Sequence, residues 1–285
     1  MSYSTETMPA LRAGVQYGKL VPGVEAYLYD TVHRENTNLA FEMVEVALHD
    51  ARASTEPLSL ATNGFELGRH RSACAHRAMN ADAVGDGLPA LRDDYFAEMI
   101  PYVAGISGAQ DVFPQPNGLL IRHGKRSSIR TQARPANFAH CDFTLATAQE
   151  MAELILAERG RRLSDYAGFA IYQTWRAVSP PPQDSLLTFC DARTVHDEDC
   201  LIVRNVNGPE DEPGNVFYLK LGLARAHHRW FYFPDLVADE MILFMGHDSR
   251  RPHQPNVLHT SFSNPLAGAD SVPRVSIEAR LFAFF

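Results

Sequence analysis

Apolar positions along this chain fall into two textures. Over residues 39–53, Phe41, Val44 and Leu48 recur at helical spacing with acids interleaved, which predicts a helix. A second helix is expected over 88–103, where Leu91, Tyr95 and Met99 recur every fourth residue. Pro101 lies inside that stretch and is expected to kink or end the helix, because proline lacks the backbone N–H. The first hundred residues therefore read as mostly helix and loop. From Asp111 onward, short β-rich runs alternate with turn residues: 118–122, 137–143, 169–176, 186–190, 200–206, 216–221, 230–233, 241–245, 258–262 and 275–284. One helix interrupts them, opening on a Thr147-Ala-Gln-Glu150 capping box and continuing through Met151, Leu154, Ile155 and Glu158 to Gly160. Many short strands at this spacing indicate a sandwich or barrel. The expected architecture is mostly β, a jelly roll of cupin-like form carrying an N-terminal helical layer. The reading is one domain over 1–285, with the helical and loop layer at 1–108 and the jelly-roll core at 109–285.

Composition narrows the function classes. A net charge of −8 argues against a nucleic-acid partner, which requires a basic face. No apolar run approaches the roughly 20 residues that span a bilayer, so no membrane partner is expected. The N-terminus carries no basic region followed by an apolar one, and Cys74, Cys141, Cys190 and Cys200 sit at no metal-ligand spacing. Four reduced thiols in a cytoplasmic protein is the expectation. Oligomeric state is open, with a homodimer allowed.

The chemistry concentrates at His140-Cys141-Asp142. In a strand, alternate side chains share a face, so His140 and Asp142 project together while Cys141 points away. A third ligand has to come from a distant strand, and His259 is the best candidate because an Arg-x-Ser element follows it. Two histidines and one carboxylate leave positions open on a metal, the arrangement of oxygen-activating iron(II) sites. Arg274-Val275-Ser276 supplies the next requirement. A 2-oxo acid co-substrate such as 2-oxoglutarate has a distal carboxylate that needs a fixed, forked counter-charge, with Ser276 adding a hydrogen bond. Arg280 lies further along the same face and rivals Arg274 for that role; pairing of either with Glu278 is the structural alternative. Among competing histidines, His247 and His253 read as loop positions, His227 and His228 as exposed, and His123 and His196 as lacking partners at useful spacing.

The blocks AHCDFT (139–144), YQTWRA (172–177), SLLTFCDARTV (185–195), HHRWFYFPDLVADEMILFMGHDS (227–249), LHTSF (258–262) and PRVSIEAR (273–280) resemble a family of microbial natural-product oxygenases. That family includes the cephamycin hydroxylase component and fungal meroterpenoid endoperoxide-forming enzymes. The resemblance implies a double-stranded β-helix, iron(II) and 2-oxoglutarate as co-substrate, and a small-molecule substrate oxidised by O2. It places the metal triad on His140, Asp142 and His259, and the Arg-x-Ser pattern on Arg274 and Ser276. Its Trp-Arg pair falls on Trp175 and Arg176, expected to flank the pocket or brace its wall. Ala177 and Leu258 stand where the family usually has proline, and Val275 where it has an acid, which marks a divergent member.

Candidate substrate contacts are Tyr172, Trp175, Phe231 and Tyr232, each of which also reads as an ordinary core aromatic. Phe41 and Tyr95 are placed as a lid from the helical layer. The rival functions are a cupin-like isomerase or metal-dependent hydrolase, using the same ligands without a buried arginine, and a non-catalytic jelly-roll binding protein.

Overall fold

The computed structural model describes residues 10–81, 88–124, 137–210, 215–251 and 256–285. The chain opens with β1 (Ala10–Lys19), β2 (Tyr27–Asp30), β3 (Ala40–Asp50) and β4 (Phe65–Arg69) before α1 (Leu88–Ser107). Then come β5 (Asp111–His123), β6 (His140–Cys141), α2 (Leu145–Ala157), β7 (Phe169–Ala177) and β8 (Ser185–Cys190). The remainder is β9 (Cys200–Val206), β10 (Val216–Gly222), β11 (Trp230–Tyr232), β12 (Glu240–Asp248), β13 (His259–Ser263) and β14 (Val275–Phe284). Two sheets face each other among the described residues. One has nine strands in the order β1-β3-β11-β8-β13-β6-β10-β9-β2, the other five in the order β4-β12-β7-β14-β5.

The N-terminal part departs from its helical reading. Residues 40–50 are a strand, because Val44, Val46 and Leu48 alternate on one face and join the apolar cluster of Val15, Tyr17 and Trp230. β3 pairs antiparallel with β1 from Ala10↔His49 to Lys19↔Ala40. A full-length partner strand thus overrides a helical spacing that Phe41, Val44 and Leu48 meet by coincidence. The helical layer reduces to α1. Its residues Leu91, Tyr95, Met99 and Val103 are buried against the outer face of the five-stranded sheet. Pro101 neither ends nor interrupts it, since it sits on the exposed side where its missing N–H leaves a carbonyl open to water. The helix instead ends ahead of Gly108, whose φ of +67° is the left-handed conformation glycine adopts without cost.

α2 begins earlier than its sequence signature. Thr144, not Thr147, is the cap: its hydroxyl accepts from the Thr147 N–H at 3.2 Å, while Thr147 Oγ1 donates to the Tyr218 carbonyl. The helix covers one end of the barrel through Ala148, Ala152, Ile155 and Leu156, packed with Phe143, Phe169, Phe282 and Phe284. All four cysteines are free thiols. Among the described residues no helix is long and apolar enough to cross a membrane.

Candidate active site

β6 is only two residues long, but it lies between β10 and β13 and pairs His140 directly opposite His259. The two histidines are therefore cross-strand neighbours on the inner face, with ring centroids 4.4 Å apart. Asp142, two positions after His140, turns its carboxylate between them. His140 Nε2 lies 3.7 Å from Asp142 Oδ1 and His259 Nε2 lies 3.4 Å from Asp142 Oδ2. All three side chains are buried, and one ligand atom from each lies within 4.8 Å of the others.

The hydrogen bonds around the rings fix what these atoms present. His140 Nδ1 is 2.8 Å from the Phe138 carbonyl and His259 Nδ1 is 3.1 Å from the Val257 carbonyl. A carbonyl only accepts, so each Nδ1 carries a proton and each ring turns Nε2 towards Asp142, as a lone pair where the ring is neutral. Asp142 Oδ2 is buried with no hydrogen-bond partner. Burial disfavours the charged form of His140, as does His259, so the ring's pKa is lowered despite Asp142 beside it. Burial alone would raise the pKa of Asp142, but the Arg280 guanidinium beside it outweighs burial and holds the carboxyl well below its ordinary range.

β14 supplies the basic groups. Arg274, Glu278 and Arg280 share a pocket with Arg122, His140, Trp175, Leu187, His259 and Ser261. The two rival arginines are in different circumstances. Arg280 donates from Nη2 to Asp142 Oδ1 at 2.8 Å and from Nε to Glu278 Oε1 at 2.9 Å. It is saturated by two carboxylates. Among the described residues the Arg274 guanidinium bonds none: Nη1 lies 3.5 Å from Ser185 Oγ, and Nε is buried without a partner. The guanidinium lies over the Trp175 ring, 5.5 Å from its centroid. Burial, followed by the charge of Arg122, pulls the Arg274 pKa down to about 10. Ser276 is buried on the same strand, opposite Ala177 and Arg122.

Strand parity sorts the remaining sequence-derived contacts. Trp175 faces the pocket, so Gln173 and Ala177 share its side while Tyr172 and Arg176 point out of the barrel. Arg176 braces the wall from outside, donating to the Tyr95 hydroxyl at 2.9 Å and to the His70 and Ala238 carbonyls at 2.7 and 3.1 Å. Tyr95 is thus a strut for α1 and not a lid. Phe231 pairs with Phe189 on the inner face, where it packs against Phe65 and His49. Tyr232 faces the other way and packs edge-on against Phe262 in the outer cluster. Phe41 lies on a strand and packs against Phe138, whose ring is 5.1 Å from that of His140.

Three histidines also depart from their readings. His247 is a buried strand residue, not a solvated loop position, and stacks on Phe169. The His228 side chain is buried too, while His196 does have partners, in Asp199 and His227. His253 lies outside the described residues. Sequence reasoning missed Arg122, Ser261 and Leu187 as pocket residues. Only Arg122 carried a signal, as a charge at the end of an apolar run.

Comparison with known proteins gives a consistent picture. A family profile described as "YDMC: Oxidoreductase/YMDC permease-like domain" matches residues 16–284. The chain is 24% identical over 274 residues to the "Hydroxylase/desaturase efuI" of Hormonema carpetanum, covering 88% of this chain and 86% of that protein. It is 22% identical to the "Alpha-ketoglutarate-dependent dioxygenase tstK" of Talaromyces stipitatus, covering 85% and 86%. Among solved structures, the "iron and alpha-ketoglutarate-dependent endoperoxidase NvfI" superposes with a TM-score of 0.84 at 23% identity, over 97% of this chain and 98% of that one. That likeness shows a shared fold, the double-stranded β-helix.

Proposed function

The chain belongs to the YDMC oxidoreductase family, and on that basis we propose that it is an iron(II)- and 2-oxoglutarate-dependent oxygenase acting on a C–H bond of a small natural product. The relatives' names, a hydroxylase/desaturase and an alpha-ketoglutarate-dependent dioxygenase, support the reaction class. The single observation that carries it is the presence, in one buried pocket, of a convergent donor set and a guanidinium that bonds no carboxylate among the described residues.

The donor set fits a divalent ion. Two Nε2 lone pairs and an orphaned carboxylate oxygen face one another, an arrangement that repels unless a cation lies among them. Two imidazoles and one carboxylate suit iron(II) and leave positions open for co-substrate and O2. His140, Asp142 and His259 would hold the ion. Iron(II) bound there would couple decarboxylation of 2-oxoglutarate, with release of succinate and carbon dioxide, to oxidation of the substrate by O2.

The chain's own residues do the positioning. Phe138 and Val257 carbonyls fix the tautomer and direction of the two imidazoles. Arg280 occupies Asp142 Oδ1 and leaves Oδ2 as the free ligand atom. Arg274, with Ser276 beside it, receives the distal carboxylate of 2-oxoglutarate, a buried charge-assisted bond that excludes water. Trp175 supports the guanidinium from one side. Substrate approaches by the cleft that shares Ser261 with the pocket and is walled by Met43, Asn137, Ser185, Phe262 and Asn264. We read residues 1–285 as one catalytic domain working in the cytoplasm, where iron stays reduced.

A metal-dependent isomerase or hydrolase would use the same three ligands but has no use for Arg274. Binding of 2-oxoglutarate to manganese-loaded, oxygen-free protein separates these readings. The co-substrate should raise the melting temperature only when metal is present, and Asp142→Ala should abolish both that shift and substrate-dependent succinate formation. Normal turnover by Asp142→Ala protein would overturn the assignment.

A further inference from the structure

A second group of metal-ligating side chains lies away from the pocket, on the short turn before β9 and the loop between β10 and β11. His196, Asp199 and His227 each place a ligand atom within 4.8 Å of the others. Asp199 is the buried centre. Its Oδ2 accepts from the His196 backbone N–H and contacts His227 Nε2, both at 2.9 Å, while its Oδ1 accepts from Arg225 Nε at 2.7 Å. The His196 and His227 rings are 5.2 Å apart between centroids and reach solvent.

A third imidazole points at the same oxygen. The His228 side chain is 1% exposed and its Nε2 lies 3.5 Å from Asp199 Oδ2. That nitrogen is buried and has no hydrogen-bond partner. The other end of the ring is held by the Tyr17 hydroxyl at 3.2 Å, itself fixed by Trp230 Nε1–H at 2.6 Å. Three imidazoles thus gather around one carboxylate, and the Nε2 of the innermost lacks a hydrogen-bond partner among the described residues.

We propose that His196, Asp199 and His227 form a second divalent-cation site, distinct from the pocket at His140, with His228 as the inner imidazole behind it. Two imidazoles and a carboxylate with open, solvent-facing positions select a borderline ion of the zinc class over magnesium or calcium. The ion takes the place of the direct contact between His227 and Asp199. Its role follows from what the turn holds. Asp197, inside the same turn, accepts from Asn256 Nδ2 at 3.0 Å, and Asn256 directly precedes Val257, whose carbonyl orients His259. A cation clamping the turn to the β10–β11 loop therefore stiffens the segment that leads into His259.

Zinc titration of the metal-free full chain at micromolar concentration tests this, using wild type, the double variant His196→Ala/His227→Ala, and His140→Ala. The wild type should take up two equivalents. The double variant changes two solvent-reaching rings, so its fold should hold, and it should lose one equivalent. His140→Ala should also bind one, and zinc should still raise its melting temperature. A wild type that binds one equivalent, lost in His140→Ala and kept in the double variant, would overturn the proposal. So would a double variant that still binds two.

Discussion

Replacing Arg274 with leucine should separate ligand binding from folding, with opposite signs. In the ligand-free protein this guanidinium is buried, its Nε is orphaned, and its nearest partner is a hydroxyl at 3.5 Å. Its pKa of about 10, against an ordinary 12.5, corresponds to roughly 3 kcal/mol of unfavourable ionisation at 1.36 kcal/mol per pH unit. Removing such a charge in favour of an apolar side chain is neutral or stabilising. At roughly 2 °C per kcal/mol for a chain of this size, the melting temperature of ligand-free Arg274→Leu should stay level or rise by up to about 6 °C. Co-substrate binding should move the other way. Truncating one partner of a buried, hydrogen-bonded charge pair costs about 2–5 kcal/mol, so the 2-oxoglutarate dissociation constant should rise by roughly 30- to 4000-fold. Calorimetric titration of 2-oxoglutarate into manganese-loaded, oxygen-free protein, beside thermal melts without ligand, reads both numbers. A variant that melts well below wild type yet binds 2-oxoglutarate normally would make Arg274 a structural residue and refute the reasoning.

Arg280→Met should do the reverse. It leaves Asp142 and Glu278 without their shared cation, so the metal-free protein should lose about 3–5 kcal/mol, and the gain in melting temperature on adding manganese should exceed that of wild type; equal losses with and without metal would count against Arg280 as the partner of Asp142. Arg176→Met strips the donors that tie Tyr95, His70 and Ala238 together, and should destabilise by roughly 3 kcal/mol while metal and 2-oxoglutarate titrations remain unchanged. His247 gives a pH signature: burial, partly opposed by Asp248, lowers its pKa to about 4 from 6.5, so between those values the unfolded chain binds a proton that the folded chain refuses. Stability should therefore fall by up to about 3 kcal/mol as pH drops through that window, and pH-dependent melts of His247→Phe should lose that part of the slope.

The strands of the barrel were legible because short β-rich runs there are set off by turn residues; residues 200–206 and 275–284 carry their bounds in the pattern itself. The N-terminal region was not. β3 meets both periods, and the deciding fact, ten residues of pairing with β1, is a non-local contact that no window on 39–53 contains. The site divided in the same way. His140 and Asp142 declare themselves by spacing, and His259 by the Arg-x-Ser element that follows it. Which arginine remains free depends on Asp142 Oδ1 reaching Arg280 across the barrel, a distance with no trace in the order of residues. Tyr172 and Tyr232 point away from the pocket, and Arg176 braces its wall from outside, which the sequence alone could not sort because parity is read from an anchor. Only once Trp175 and Phe231 are known to face inward are their neighbours known to face out.

The two-residue strand β6 has a mechanical consequence. Its ladder joins His140 to His259, more than a hundred positions apart, through a single cross-strand pair. An ion seated on that pair works as a reversible rivet across the seam of the barrel, drawing on the same chain constraint that a long-loop disulfide exploits. Chelation would then slacken the wall as well as silence the chemistry, and amide exchange at Cys141 should be among the first to report it.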